Sequence, residues 1–93
     1  MFTAPKVNVV SCEEGFSVEV LGRTGIEYRE GCKSVFVDSE ILATGHGIVV
    51  FKNSIKAWRP PHDKEELTAA QRQRIIENVR RAIEFRKQPV EVL

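Results

Sequence analysis

The chain has 93 residues, 42% hydrophobic and 29% charged, with a formal net charge of +1 at pH 7; that length suits a single domain over 1–93, and that composition excludes intrinsic disorder. Residues 1–45 hold four basic and seven acidic side chains, net −3, whereas residues 46–93 hold ten basic and six acidic, net +4. A bipolar molecule of this kind favours an oriented encounter with a charged protein over uniform attraction to nucleic acid.

Residues 1–59 read mostly as β structure. Segments rich in β-branched and aromatic residues alternate with turn formers at intervals of about 8–12 residues, the spacing of an antiparallel meander. Residues 7–12 are the first such segment. Glu13-Glu14-Gly15 turns the chain into Phe16-Ser17-Val18-Glu19-Val20, which alternates apolar and polar like a strand with one buried face. After a turn at 21–25, Ile26-Glu27-Tyr28-Arg29 alternates again. Glu30-Gly31 then supplies a tight reversal, and residues 32–37 return with Val35 and Val37 on one face. Residues 38–47 stay open between a strand end and a single helical turn. Residues 48–51 are apolar at consecutive positions, as in a central strand covered on both sides, and Lys52-Asn53 turns the chain into a further strand at 54–58. The longest apolar run, 47–51, is far too short to cross a bilayer, which excludes a membrane-spanning role.

Pro60-Pro61 ends any strand, because proline has no amide hydrogen to donate, and residues 60–67 read as a linker. A helix over 68–87 starts at Thr68, whose hydroxyl can cap the first turn while Gln71 reaches back to complete a capping box. Asp63, Glu65 and Glu66 lie upstream and Arg86 and Lys87 in the last turn, each sign matching the helix dipole. Ile75, Ile76, Val79, Ala82 and Ile83 fall within an arc of about 120°, a face suited to lie on a sheet. Glu77 and Arg81 have the spacing of an i,i+4 ion pair. Pro89 stops the helix, and within 89–93 Val90-Glu91-Val92 alternates like a last short strand. The expected fold is therefore α+β, an antiparallel β-meander of about five to six strands with one C-terminal amphipathic helix packed on one face.

No constellation reads as an active site, and neither cofactor nor metal is expected. Glycines flanking His46 would let a substrate approach its imidazole, but no nucleophile or carboxylate is tied to it, and a flexible turn explains Gly45-His46-Gly47 better. His62 is a loop residue, and two histidines without metal-ligand spacing argue against zinc. Cys12 and Cys32 lie outside any CxxC pattern, and the N-terminal residues lack the parts of a secretory leader. Buried, reduced thiols in the cytoplasm are the expectation.

A nucleic-acid-binding or regulatory module would use Lys52, Lys56, Arg59, Arg72, Arg74, Arg80, Arg81 and Arg86, with Trp58 as a stacking platform. The outward helix face alternates in sign and forms no basic stripe, which weighs against it. A protein partner fits better. Glu19, Glu27, Glu30, Asp38 and Glu40 would give an acidic sheet face for a basic protein, and Tyr28 and Trp58 are candidate aromatic anchors, although Trp58 suits the gap between sheet and helix slightly better and Tyr28 is open in the same way. A second copy covering the free face of the sheet stays open as well.

The stretch Val50-Phe51-Lys52-Asn53-Ser54-Ile55-Lys56-Ala57-Trp58-Arg59-Pro60-Pro61 resembles the Immunity protein 74 family of bacterial polymorphic toxin systems. The resemblance continues through residues 65–83, where Gln71-Arg72 precedes Ile75-Ile76-Glu77-Asn78, and the hairpin at 28–38 is compatible with it. It implies a small α+β protein, encoded beside a toxin, that binds the toxin in the producing cell and neutralises it without catalysis. The matching residues look structural: Ile55 as strand core, Pro60-Pro61 as a stop, and Ile75, Ile76 and Val79 as helix core.

Overall fold

The computed structural model describes residues 2–6, 8–22, 24–42 and 47–93. Strands β1 (Phe2–Lys6), β2 (Val9–Cys12), β3 (Phe16–Gly22), β4 (Gly25–Glu30), β5 (Lys33–Ile41), β6 (Ile48–Val50) and β7 (Val90–Val92) form one seven-stranded sheet in chain order. Neighbours from β1 to β6 pair antiparallel, whereas β6 and β7 are parallel. A parallel pair needs a long crossover, and helix α1 (Ala69–Phe85) lies within the connection from β6 to β7 that supplies it.

The α+β architecture read from the sequence is present, with more strands than expected. The additional strand β1 has no alternating pattern to announce it, since Ala4, Pro5 and Lys6 are weak strand formers. It sits at the sheet edge, where a proline is tolerated, and its pairing slips between Thr3 and Lys6. The strand expected at 54–58 is replaced by a 3-10 turn, Lys52–Ser54, and an irregular extended segment. That segment still follows the edge of β5: the Ser54 hydroxyl accepts from the Asp38 amide at 2.8 Å, and the Arg59 amide donates to the Ser34 carbonyl at 2.7 Å. Regular pairing fails here because the 3-10 turn moves the chain out of register, yet Ile55 and Trp58 still reach the core. Residues 43–46, and so His46, lie outside the described residues.

One face of the sheet carries Val10, Val18, Ile26, Tyr28, Val35, Val37 and Val50, all buried against the Ile75, Ile76, Val79, Ala82 and Ile83 face of α1. Burying such side chains contributes about 1.5–3 kcal/mol each, which makes this interface the main source of stability. Trp58 and Leu67 are also buried in it, so the proline-containing connection is pinned to the core at both ends.

The helix N-terminus matches the sequence pattern closely. Thr68 Oγ1 accepts from the Gln71 amide at 3.1 Å while Gln71 Oε1 accepts from the Thr68 amide at 2.9 Å. The C-terminus differs. The helix stops at Phe85, and Lys87 takes a positive φ of 62°. The Lys87 amide donates to the Glu84 carbonyl at 2.8 Å and the Gln88 amide to the Ile83 carbonyl at 3.4 Å, the pattern of a Schellman cap with lysine where glycine is usual. Arg86 and Lys87 therefore lie at and beyond the cap, not in the last turn. The expected Glu77–Arg81 pair is replaced too, because Arg81 turns to Glu14 on the sheet, and the i,i+4 pair that forms is Arg80–Glu84 at 3.7 Å.

Candidate functional site

Side chains alternate between the faces of a sheet, so the residues between the buried ones point away from α1. Strand register then assembles the open face row by row. Glu19, Glu27 and Phe36 are cross-strand neighbours in one row, Ser17, Arg29 and Ser34 in the next, Gly25 and Asp38 in a third, and Glu40, Val49 and Glu91 in a fourth. Five carboxylates thus share this face with Arg29 and the adjoining Arg59.

The charges are unevenly compensated. Glu27 is largely covered and accepts from Arg29 Nε and Nη2 at 3.0 and 2.7 Å, with Arg59 Nε 3.4 Å from its other oxygen. Beside it the Arg29 guanidinium is held above its ordinary pKa, chiefly by that hydrogen bond. Glu19, Asp38, Glu40 and Glu91 form no ion pair among the described residues, although Glu19 lies close enough to Arg29 to help raise its pKa.

An apolar spot lies among them. The Phe36 ring rests directly on Gly25, so close that a Cβ there would meet Phe36 Cε1 at 2.7 Å, and Leu21 is beside it. Phe36 is 36% exposed and Leu21 48%, and the Arg59 guanidinium stacks 5.7 Å from the Phe36 ring centre.

The other expected contact residues are elsewhere. Glu30 has the opposite parity from Glu27 and points to the helix side, where Arg74 Nη2 donates to both of its oxygens at 2.6 and 2.7 Å. Tyr28 and Trp58 are 0% and 3% exposed. Burial corrects their use as partner anchors and favours the core alternative: a partner could touch these rings only by lifting the helix side from the sheet. Burial raises the Tyr28 phenol above its ordinary pKa, more than the 2.9 Å hydrogen bond from Asn78 Nδ2 lowers it. Trp58 is likewise removed as a stacking platform for nucleic acid.

On the helix side, Glu14–Arg81 and Glu30–Arg74 flank a cleft of about 340 Å³ floored by Tyr28 and Asn78. Each guanidinium there faces a carboxylate, so the cleft offers an ion no net charge. Arg81 also lies over the Phe2 and Phe16 rings at 5.4 and 5.8 Å. Of the two thiols, Cys12 is buried and Cys32, expected to be buried, is exposed in the turn between β4 and β5, its sulfur 3.8 Å from His62 Nε2. Its exposure follows from the two-residue loop, where Gly31 takes a φ of 62° and leaves no second layer to cover the turn. Among the described residues no three His, Cys, Asp or Glu side chains come together as metal ligands, and no helix is long and apolar enough to cross a membrane.

The profile of the Immunity protein 74 family matches residues 17–92, which takes in β4 through β7, α1 and all of β3 but its first residue. Neither the curated proteins nor the solved structures contain a match.

Proposed function

Since the chain belongs to the Immunity protein 74 family, we propose that it is an immunity protein that binds a cognate protein toxin in the cytoplasm of the producing cell and neutralises it by occupying its surface, without chemistry of its own. The toxin-binding surface is the open face of the sheet, where Glu19, Asp38 and Glu40 meet a basic surface of the toxin. The observation that supports this reading is that these three carboxylates share one face and form no ion pair among the described residues, an arrangement that steers a cationic partner. Glu27 belongs to the same face, but its two arginines already neutralise it. Glu30 takes no part, since Arg74 holds it against the helix.

The reading is tested by mixing the purified chain with the toxin domain encoded beside its gene and following complex formation and toxin activity together. A stoichiometric complex in which the toxin is silent supports it. An active toxin in the presence of excess chain removes it, and retention of nucleic acid that is lost as salt rises would favour the basic C-terminal half as the working surface.

A further inference from the structure

The carboxylates of the open face explain attraction, but charge at the rim of an interface sets association rate and orientation more than lifetime. Lifetime comes from a few large side chains at the centre that shed water on binding, surrounded by polar groups that keep water out. Among the described residues, Phe36 is an exposed aromatic side chain on the open face. We propose that Phe36, laid on Gly25 and bordered by Leu21, is the anchor of the partner contact, and that it receives an apolar side chain projecting from a cationic surface. This rests on the proposed immunity function and says which chemistry the toxin presents there.

Three observations converge on Phe36. Gly25 has no side chain, so the ring packs directly against the backbone there and is held without being buried. Arg59 stacks on the ring while its Nε reaches Glu27, and Glu27 is held from the other side by Arg29, so the ring is fixed by a clasp of three charged groups whose own charges are largely answered. A preordered aromatic loses little entropy when a partner covers it. Finally, two carboxylates without an ion pair among the described residues lie near this spot, Glu19 in the row of Phe36 two strands away and Asp38 opposite Gly25. An apolar ring whose adjoining arginines are tied to Glu27, with Glu19 and Asp38 nearby, suits an apolar side chain flanked by lysine or arginine.

The two determinants separate by kinetics. With the purified toxin domain encoded beside the gene as the probe, Phe36→Ala is expected to weaken binding about thirtyfold or more, mainly through faster dissociation. Gly25→Ala acts on the same anchor without touching its chemistry. Gly25 does not use a positive φ, so alanine fits the backbone, but its Cβ must push the exposed ring aside, and a loss of about tenfold is expected. Asp38→Lys should slow association and flatten its salt dependence while leaving dissociation within a few-fold. Both anchor variants keep the helix-side core, so their thermal unfolding should stay close to that of the unaltered chain. If the unaltered chain binds the toxin and Phe36→Ala binds within twofold of it, the anchor is wrong and the immunity function stands. If the unaltered chain does not bind the toxin domain at all, both fall.

Discussion

Lys87→Gly should make the protein more stable, against the usual direction for replacing a side chain by none. Lys87 holds a φ of 62° so that the two capping hydrogen bonds at the end of α1 can form. An L-residue in that conformation is disfavoured by about 1–2 kcal/mol because its Cβ crowds the following carbonyl. Glycine removes that strain but loses about 0.5–1 kcal/mol more conformational freedom on folding. The balance is a gain of about 0.5–1 kcal/mol, which for a domain of this size raises the melting temperature by about 3–6 °C. Lys87 is exposed, so its charge contributes little, and Lys87→Ala serves as the control because it keeps the Cβ. Thermal denaturation followed by circular dichroism reads both. A Lys87→Gly protein that melts lower than the unaltered chain, or a Lys87→Ala protein that gains as much, would refute the strain argument.

Tyr28→Phe should cost about 1 kcal/mol in denaturant titration, since the Asn78 amide loses its buried acceptor. The raised phenol pKa has a signed consequence: the contribution of Tyr28 is intact below the ordinary tyrosine value of about 10 and is lost as pH climbs through the higher folded value, so Tyr28→Phe should flatten the alkaline limb of a stability profile. At the acid end the sign reverses. Arg81 lowers the pKa of Glu14, and that support, present above the ordinary carboxylate range, disappears as pH falls through the folded value; Arg81→Gln should make the acid limb less steep. With a thiol reagent, one cysteine should react quickly and the second only on unfolding, and Cys32→Ser should abolish the fast phase.

The features legible in the sequence are those written in local spacing. Thr68 and Gln71 announce the capping box, and the helix positions at 75, 76, 79, 82 and 83 announce the buried face, because both depend on separations of three or four residues along one chain. The hairpin around Gly31 is readable for the same reason. What escapes depends on context. The αL residue at 87 carries no glycine to mark it, and only the hydrogen bonds to Ile83 and Glu84 require the conformation. Strand β1 is recruited by an edge already in place. The irregular segment at 55–59 has the composition of a strand but no ladder, and it buries Ile55 and Trp58 three residues apart.

The candidate surface is half legible. Alternation along β3 and β4 separates Glu19 and Glu27 from Glu30, since 27 and 30 differ by an odd number of residues, and that parity is written in the chain itself. A single acidic face made of all five residues overlooks it. The burial of Tyr28 and Trp58 is only suggested by the chain, since Tyr28 shares the apolar parity of Ile26 but Trp58 lies outside any strand. Phe36 is hidden by its company: it lies between Val35 and Val37, the buried residues that define the hairpin, and only the sheet register brings it over Gly25.

The central claim is that the chain neutralises a toxin by binding it through Glu19, Asp38 and Glu40 of the open face. The direct measurement is growth of cells expressing the neighbouring toxin domain together with the unaltered chain or with the chain carrying Glu19→Lys, Asp38→Lys and Glu40→Lys. The account predicts that the unaltered chain restores growth and that the triple variant, shown to be folded by its melting curve, does not. Equal protection by the two, or none by either, would contradict it.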